Sequence, residues 1–411
     1  MEARFVATRL SAMMFLEFFI WGAWYVTVGN FMNAHGMGDI IFWAYTVGPM
    51  AAIASPFFLG LVADRFFATE RVLGGMHLIG GAAMFAVPWA AGQSGTLFIL
   101  VLLLHMLCYM PTLGLTNTLA FHNIASQEQQ FPIIRMFGTI GWIVANLIVS
   151  RGLGADREAT QFFVTGGACM ALGLFAFSLP HTPPPAAGKK VSARAILGVD
   201  ALARLADLPF AVFLACSFLI CIPLAAYYAY APVYADAAGF RNPAFNMSFG
   251  QIAEVFFMLV MPLCFRRLGV KWMLAVGMAA WVTRYGLFAG AAPGGVLWMI
   301  MGGILLHGIC YDFFFVTGQI YTDQKATPEI RGQAQGLLVL VTQGLGMLIG
   351  AQVAGRIYNA LVSGEGEALR ASFEYFWLVP CLAAAVVLGV FVLVFRDPAA
   401  RRRAPTSAPS K

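Results

Sequence analysis

Apolar runs about one bilayer thickness long recur along the whole chain, separated by short clusters of arginine, glycine, proline and acidic residues. They fall at roughly 10–32, 41–62, 72–91, 96–120, 132–150, 161–180, 208–232, 248–266, 272–291, 295–321, 333–357 and 373–395. About 20 apolar residues carry a helix across the hydrocarbon, so each run predicts one crossing, the longer ones tilted or protruding. Pro49, Pro56, Pro111, Pro223 and Pro262 interrupt these runs. Membrane helices tolerate them where neighbouring helices or water satisfy the freed carbonyls. The predicted fold class is an all-α membrane protein of twelve transmembrane helices, with both termini on one side.

The longest polar break, His181 to Arg194, divides the runs six and six. Its prolines and lysines specify an exposed connector. The expected organisation is a six-helix bundle over 1–181, a cytoplasmic connector over 182–207, a second six-helix bundle over 208–396 and a disordered basic tail over 397–411. A weak internal symmetry supports two halves. G-L-V-A-D-R-F-F follows the second run and P-L-C-F-R-R-L-G-V-K the eighth, each placing arginine at a tight turn. In the first, Asp64 and Arg65 are expected to lock a cytoplasmic gate; an ordinary charged helix end is the other reading of Asp64. Two six-helix halves rocking about a midplane site are a known physical solution for such a pattern.

Charge then orients the chain. With the N-terminus inside, the cytoplasmic ends collect Arg4, Arg9, Arg65, Arg71, Lys189, Lys190, Arg194, Arg266, Arg267, Lys271, Lys325 and Arg401 to Arg403. The other side receives little more than Arg151, Arg157, Arg241, Arg356 and Arg370. That imbalance predicts that both termini lie in the cytoplasm. Of the 411 residues, 60% are hydrophobic and 11% charged, with a mean hydropathy of +0.78, which describes a chain whose solvent is lipid. The first run lacks a short core followed by a small-residue cleavage site, so it predicts a retained span. The net charge of +6 is dispersed at segment ends, which suits anionic headgroups and not nucleic acid. Seven cysteines show no Cys-x-x-Cys pair and predict neither a disulfide framework nor a metal site. His77, His105 and His307 lie on different runs without metal-ligand spacing, and no nucleophile elbow or phosphate loop appears, so no enzyme and no cofactor are expected.

Polar residues inside apolar runs carry the functional signal, because charge in hydrocarbon is costly. Glu17 precedes Trp21, Trp24 and Tyr25 at helical spacing, a face able to stack a planar solute while the acid accepts hydrogen bonds. Reaching headgroup water is the equal alternative for Glu17. His105, Tyr109, Thr112 and Thr116 stripe the fourth run. Arg135 shares a face with Thr139 and Trp142 and offers a fixed fork of donors, with snorkelling to the interface as its alternative. Gln251 and Glu254, three apart, present an amide and an acid to one small solute. Asp312 stands in an apolar run beside Tyr311, with His307 one turn before Tyr311. An acid that is charged when it meets water and neutral when occluded supplies a proton-coupling step. The alternatives are a permanent pair of Asp312 with Arg284 or His307 and, for Glu254, an interhelical lock.

These residues sit in longer motifs: F-F-I-W-G-A-W-Y-V-T-V-G-N at 18–30, Y-M-P-T-L-G-L-T-N-T at 109–118, P-I-I-R-M-F-G-T-I-G-W at 132–142, Q-I-A-E at 251–254, Y-D-F-F-F-V-T-G at 311–318 and P-E-I-R-G-Q-A-Q-G at 328–336. Through them nearly the whole chain resembles the nucleoside:proton symporter family of the major facilitator superfamily. The resemblance implies import of nucleosides driven by proton flow, through alternating access, in a bacterial inner membrane; a monomer among membrane lipids is expected. It implies solute binding by Arg135, Thr139, Trp142, Gln251, Glu254, His307, Tyr311 and Asp312, with Glu254 and Asp312 coupling protons. Three departures stand out. Ala225 and Tyr228 occupy positions where the family's permeases place amides, Glu17 replaces a glutamine and His307 a tyrosine. Tyr228 and Glu17 therefore join the expected solute contacts. The same departures favour, as the alternative, another small polar solute such as a sugar, a modified nucleoside or a muropeptide-like fragment.

Overall fold

The computed structural model describes residues 2–59, 66–184, 194, 197–327 and 330–396. Asp64 and Arg65, the expected gate residues, lie outside the described residues, as do the connector's lysines and the basic tail. Among the described residues all regular structure is helical. The crossings are α1 Phe5–Ala34, α2 Gly38–Phe58, α3 Thr69–Gln93, α4 Gly95–Asn123, α5 Gln129–Gly152, α6 Thr160–Ala176, α7 Leu208–Ala237, α8 243–268, α9 270–291, α10 Leu297–Lys325, α11 Arg331–Leu361 and α12 Gly366–Val394. Helices α8 and α9 are two separate helices joined at Gly269, whose φ of +66° suits a residue without a Cβ. The twelve crossings form the two six-helix bundles of the major facilitator architecture.

Glycines set the internal geometry of each half. A Cβ on Gly141 of α5 would stand 2.1 Å from the Phe15 carbonyl oxygen of α1, and one on Gly22 would stand 2.9 Å from the Trp142 carbonyl oxygen. Backbones this close need small residues, the usual device for helix association in lipid. In the second half, a Cβ on Gly308 of α10 would meet the Ala253 carbonyl of α8 at 2.6 Å. One glycine seam therefore joins α1 to α5 and another joins α8 to α10. Each brings two short polar-and-aromatic motifs, distant in sequence, onto a common surface.

The halves meet through polar links on the side away from the termini. Arg157 donates to both carboxylate oxygens of Asp236 at 2.7 and 2.8 Å. The Ala244 amide at the start of α8 donates to Asp156 Oδ1 at 3.1 Å, Asn359 Nδ2 to the Asp39 carbonyl at 2.8 Å, and Gln352 Nε2 to Thr46 Oγ1 at 2.9 Å. On the terminal side, the short helix Val199–Leu205 of the connector packs beside the start of α11, where a Cβ on Gly198 would meet Leu337 at 2.9 Å. Asp207 caps α7 through the Phe210 amide and pairs with Lys325 at the end of α10.

Candidate solute site

Between the halves lies a cavity of about 280 Å³. That is near the lower end of the roughly 300–1,000 Å³ typical of small-molecule sites. The first half contributes Phe18, Trp21 and Tyr25 from α1 and Arg135, Thr139 and Trp142 from α5. The second contributes Tyr228 from α7, Gln251 and Glu254 from α8, His307, Tyr311, Phe315 and Gln319 from α10, and a wall of α11 that includes Thr342 and Gln343. The two glycine seams explain this convergence, since each delivers both of its helices to the cavity with little space between them.

Aromatic rings form much of the enclosure. Trp21 meets Trp142 edge to face at 5.6 Å, and Tyr25 meets Trp142 at 6.2 Å. Tyr25 of one half closes on Tyr228 of the other at 6.2 Å. On the opposite wall His307 stacks on Tyr227 at 5.6 Å. Offset and edge-on pairs of this kind leave ring faces to sandwich a planar solute. The Arg135 guanidinium lies 4.0 Å over the Phe18 ring, so it stays at the cavity and does not run back to the membrane surface. His307 Nε2 stands 4.0 Å from Glu254 Oε2.

Several polar atoms at this wall have no partner: Trp21 Nε1, Trp142 Nε1, Gln251 Oε1 and His307 Nδ1 are buried and unbonded. Buried donors and acceptors are normally paired, and the four on residues lining this cavity are groups that a bound solute can partner. Two indole donors, an amide acceptor, an imidazole nitrogen, a guanidinium and a carboxylate around aromatic faces suit a small planar solute with hydroxyl and ring-nitrogen groups.

Eight of the expected contacts line this cavity, namely Arg135, Thr139, Trp142, Tyr228, Gln251, Glu254, His307 and Tyr311. Two do not. Glu17 is fully buried inside the first half, where its carboxylate accepts from His77 Nε2 at 2.8 Å and Thr112 Oγ1 at 2.6 Å, and its carbonyl accepts from the Tyr109 hydroxyl at 2.8 Å. Neither a solute contact nor a headgroup position describes it. Spacing puts Glu17 near the face of Trp21, yet α3 and α4 cover that turn of α1 with matching polar partners.

Asp312 is also fully buried and outside the lining, within the π-helical turn Tyr311–Val316, and neither carboxylate oxygen has a partner. The permanent pairing considered for it does not occur. Arg284 instead donates from Nε to the Gly303 carbonyl at 2.9 Å and stacks 3.9 Å over Tyr227. Sequence reasoning missed the α11 wall. Thr342 and Gln343 are polar residues in an apolar run, the same signal that marked Gln251, but no ionisable residue accompanied them.

The sequence profile described as "Nucleoside H+ symporter" matches residues 5–400. The putative nucleoside transporter YegT of Escherichia coli is 38% identical over 95% of this chain and 93% of its own length. The xanthosine permease of Escherichia coli is 30% identical, with 95% of this chain and 96% of its own length covered. The crystal structure of the nucleoside transporter NupG superposes with a TM-score of 0.84 at 28% identity, covering 95% of this chain and 99% of that one. A central cavity between two six-helix halves and a match along nearly the full chain lead to one conclusion: this protein belongs to the nucleoside H+ symporter family, transporters and not enzymes, and is a multi-pass protein of the bacterial inner membrane.

Proposed function

We propose that the chain imports nucleosides together with protons, as a monomer with both termini in the cytoplasm, by alternating exposure of the central cavity. The observation that carries this reading is the cluster of unpartnered polar atoms between facing aromatic walls. Trp142, Tyr228 and Tyr311 stack the base, Arg135, Thr139 and Gln251 hold ring and ribose oxygens, and His307 reads a base edge. Glu254 faces the solute and carries a proton, while Asp312, unpaired behind Tyr311, carries or relays one. Asp64 and Arg65 hold the cytoplasmic gate. The polar links opposite the termini support reading this form as inward-facing, closed to the outside.

Purified protein in liposomes is expected to accumulate labelled uridine under an inward proton gradient, and to stop when the gradient is collapsed. Accumulation that survives the collapse would exclude coupling, and normal transport by Asp312→Asn would exclude its role. Tyr228 in place of an amide favours a second reading, in which the same cavity takes a modified nucleoside or another small polar metabolite. A thermal-shift panel separates the two: stabilisation by several unmodified nucleosides removes the second.

A further inference from the structure

A second cavity, of about 260 Å³, lies between the halves on the side away from the termini. Asn30 of α1 and Tyr358 of α11 line it, and the Arg157–Asp236 ion pair stands among its walls. Tyr25, five residues before Asn30 on α1, closes against Tyr228 at the central cavity.

Asn30 is 1% exposed, yet neither Oδ1 nor Nδ2 has a partner. A buried carboxamide left with both groups unbonded is destabilising, and native structures rarely leave one without a use. The same helix satisfies a polar side chain fully where its role is packing. Thr27 Oγ1, one turn earlier, donates to Gln161 Oε1 at 2.7 Å. Asn30 differs in facing a cavity, with Asn33 a turn further along the same lining and the apolar Leu369 and Phe373 opposite.

We propose that this outer cavity is a peripheral binding site for the solute class of the central one, a neutral planar molecule with adjacent hydrogen-bond donor and acceptor groups, held by the Asn30 amide. The proposal rests on the transport reading above. The volumes of the two cavities are similar, about 260 and 280 Å³, and so suit solutes of similar size. An amide offers a donor and an acceptor in one plane, which pairs with a base edge or a diol, and the apolar wall covers the ring. The Arg157–Asp236 pair leaves the site without net charge in this form, which suits a neutral solute.

The test is protection from alkylation. Asn33 is exposed at the cavity, so Asn33→Cys in detergent-solubilised protein reacts with a maleimide, and uridine is the probe. Uridine is expected to slow labelling several-fold, to do so still when Arg135→Ala disables the central site, and to lose the effect when Asn30→Leu is added. Asn30→Ser serves as the second variant in case leucine disturbs folding, and a graded loss of protection is expected from it. Protection that disappears with Arg135→Ala alone, or that survives both Asn30 variants, overturns the proposal. Absence of protection in the Asn33→Cys protein overturns it too. If uptake of uridine persists in that case the transport reading stands, and if uptake is also absent that reading falls with it.

Discussion

His77 Nε2 donates to Glu17 Oε2 at 2.8 Å in the interior of the first six-helix half, with both side chains almost completely sealed from solvent. Thr112 completes the acid's coordination, and the Tyr109 hydroxyl ties the Glu17 carbonyl to α4. Removing one partner of such a buried pair costs about 3–5 kcal/mol, because the other is left unpaired. Glu17→Leu is therefore expected to lower the detergent unfolding temperature sharply, and Glu17→Gln, which keeps an acceptor, much less. Unchanged thermal unfolding of Glu17→Leu would show that the network does not hold the bundle.

The seam between α1 and α5 is equally unforgiving. The atom that a Cβ on Gly141 meets, at 2.1 Å, is a backbone carbonyl, which cannot turn aside as a side chain would. Gly141→Val should separate the helices that carry Trp21 and Trp142, destabilise the fold by at least the roughly 1–3 kcal/mol of an overpacked core, and weaken solute binding. Size-exclusion behaviour and uridine-induced thermal shifts measure both effects. A variant that binds like the parent would mean that the two helices have slack.

Asp312 presents the opposite case, a polar group that stability does not need. Both of its oxygens are buried without a partner. Asp312→Leu is expected to raise the unfolding temperature by a few degrees, on the order of 1–3 kcal/mol for a relieved unsatisfied group, while abolishing gradient-driven uptake. A lower unfolding temperature in that variant would reveal a partner for the acid.

Burial of Asp156 at the contact with α8 makes closure of this face depend on pH. Burial raises the Asp156 carboxyl above the usual carboxylate range, opposed by hydrogen bonds from Ser150 and Ala244. Opening would return it to water and its ordinary pKa, so the closed form holds the proton more tightly. The group's contribution to closure is complete below the ordinary aspartate value of about 3.9 and fades as pH rises through the raised one. Spin labels at Glu158→Cys and Arg241→Cys should report more of the short-distance form at about pH 5 than at about pH 8, and Asp156→Asn should flatten that dependence. An unchanged pH response in Asp156→Asn would assign it elsewhere.

The adjoining Arg157–Asp236 pair has an exposed arginine, 59% accessible, so its loss is worth at most about 1 kcal/mol to closure. Arg157→Ala is expected to shift the same distance distribution modestly and to leave the unfolding temperature unchanged. A large fall in that temperature would mean the pair supports the fold itself.

The sequence carried the twelve crossings because lipid-length apolar runs leave little choice of secondary structure. It carried most of the cavity because ionisable and amide residues in such runs are rare enough to stand out, as Arg135, Gln251 and Glu254 do. Glu17 was misplaced by the same rule. A buried acid signals a polar environment, but only the packing of α3 and α4 reveals that His77 and Thr112 provide it. The contribution of α11 was invisible for the converse reason, since Thr342 and Gln343 look like ordinary packing polars until a cavity opens beside them. Which turn of a helix faces a neighbour depends on backbone approach distances, such as that at Gly308, and no one-dimensional pattern encodes those.

The hairpin at Gly269 has a mechanical corollary. Only Gly269 departs from helical φ/ψ between the descending and ascending rods, so a shift at the end of α8 is passed directly to the start of α9. Glu254 rides on the first rod and Arg284 on the second. The acid that lines the cavity and the cation stacked on Tyr227 thus stand on helices joined end to end, so a shift of one rod is felt near the other's charge.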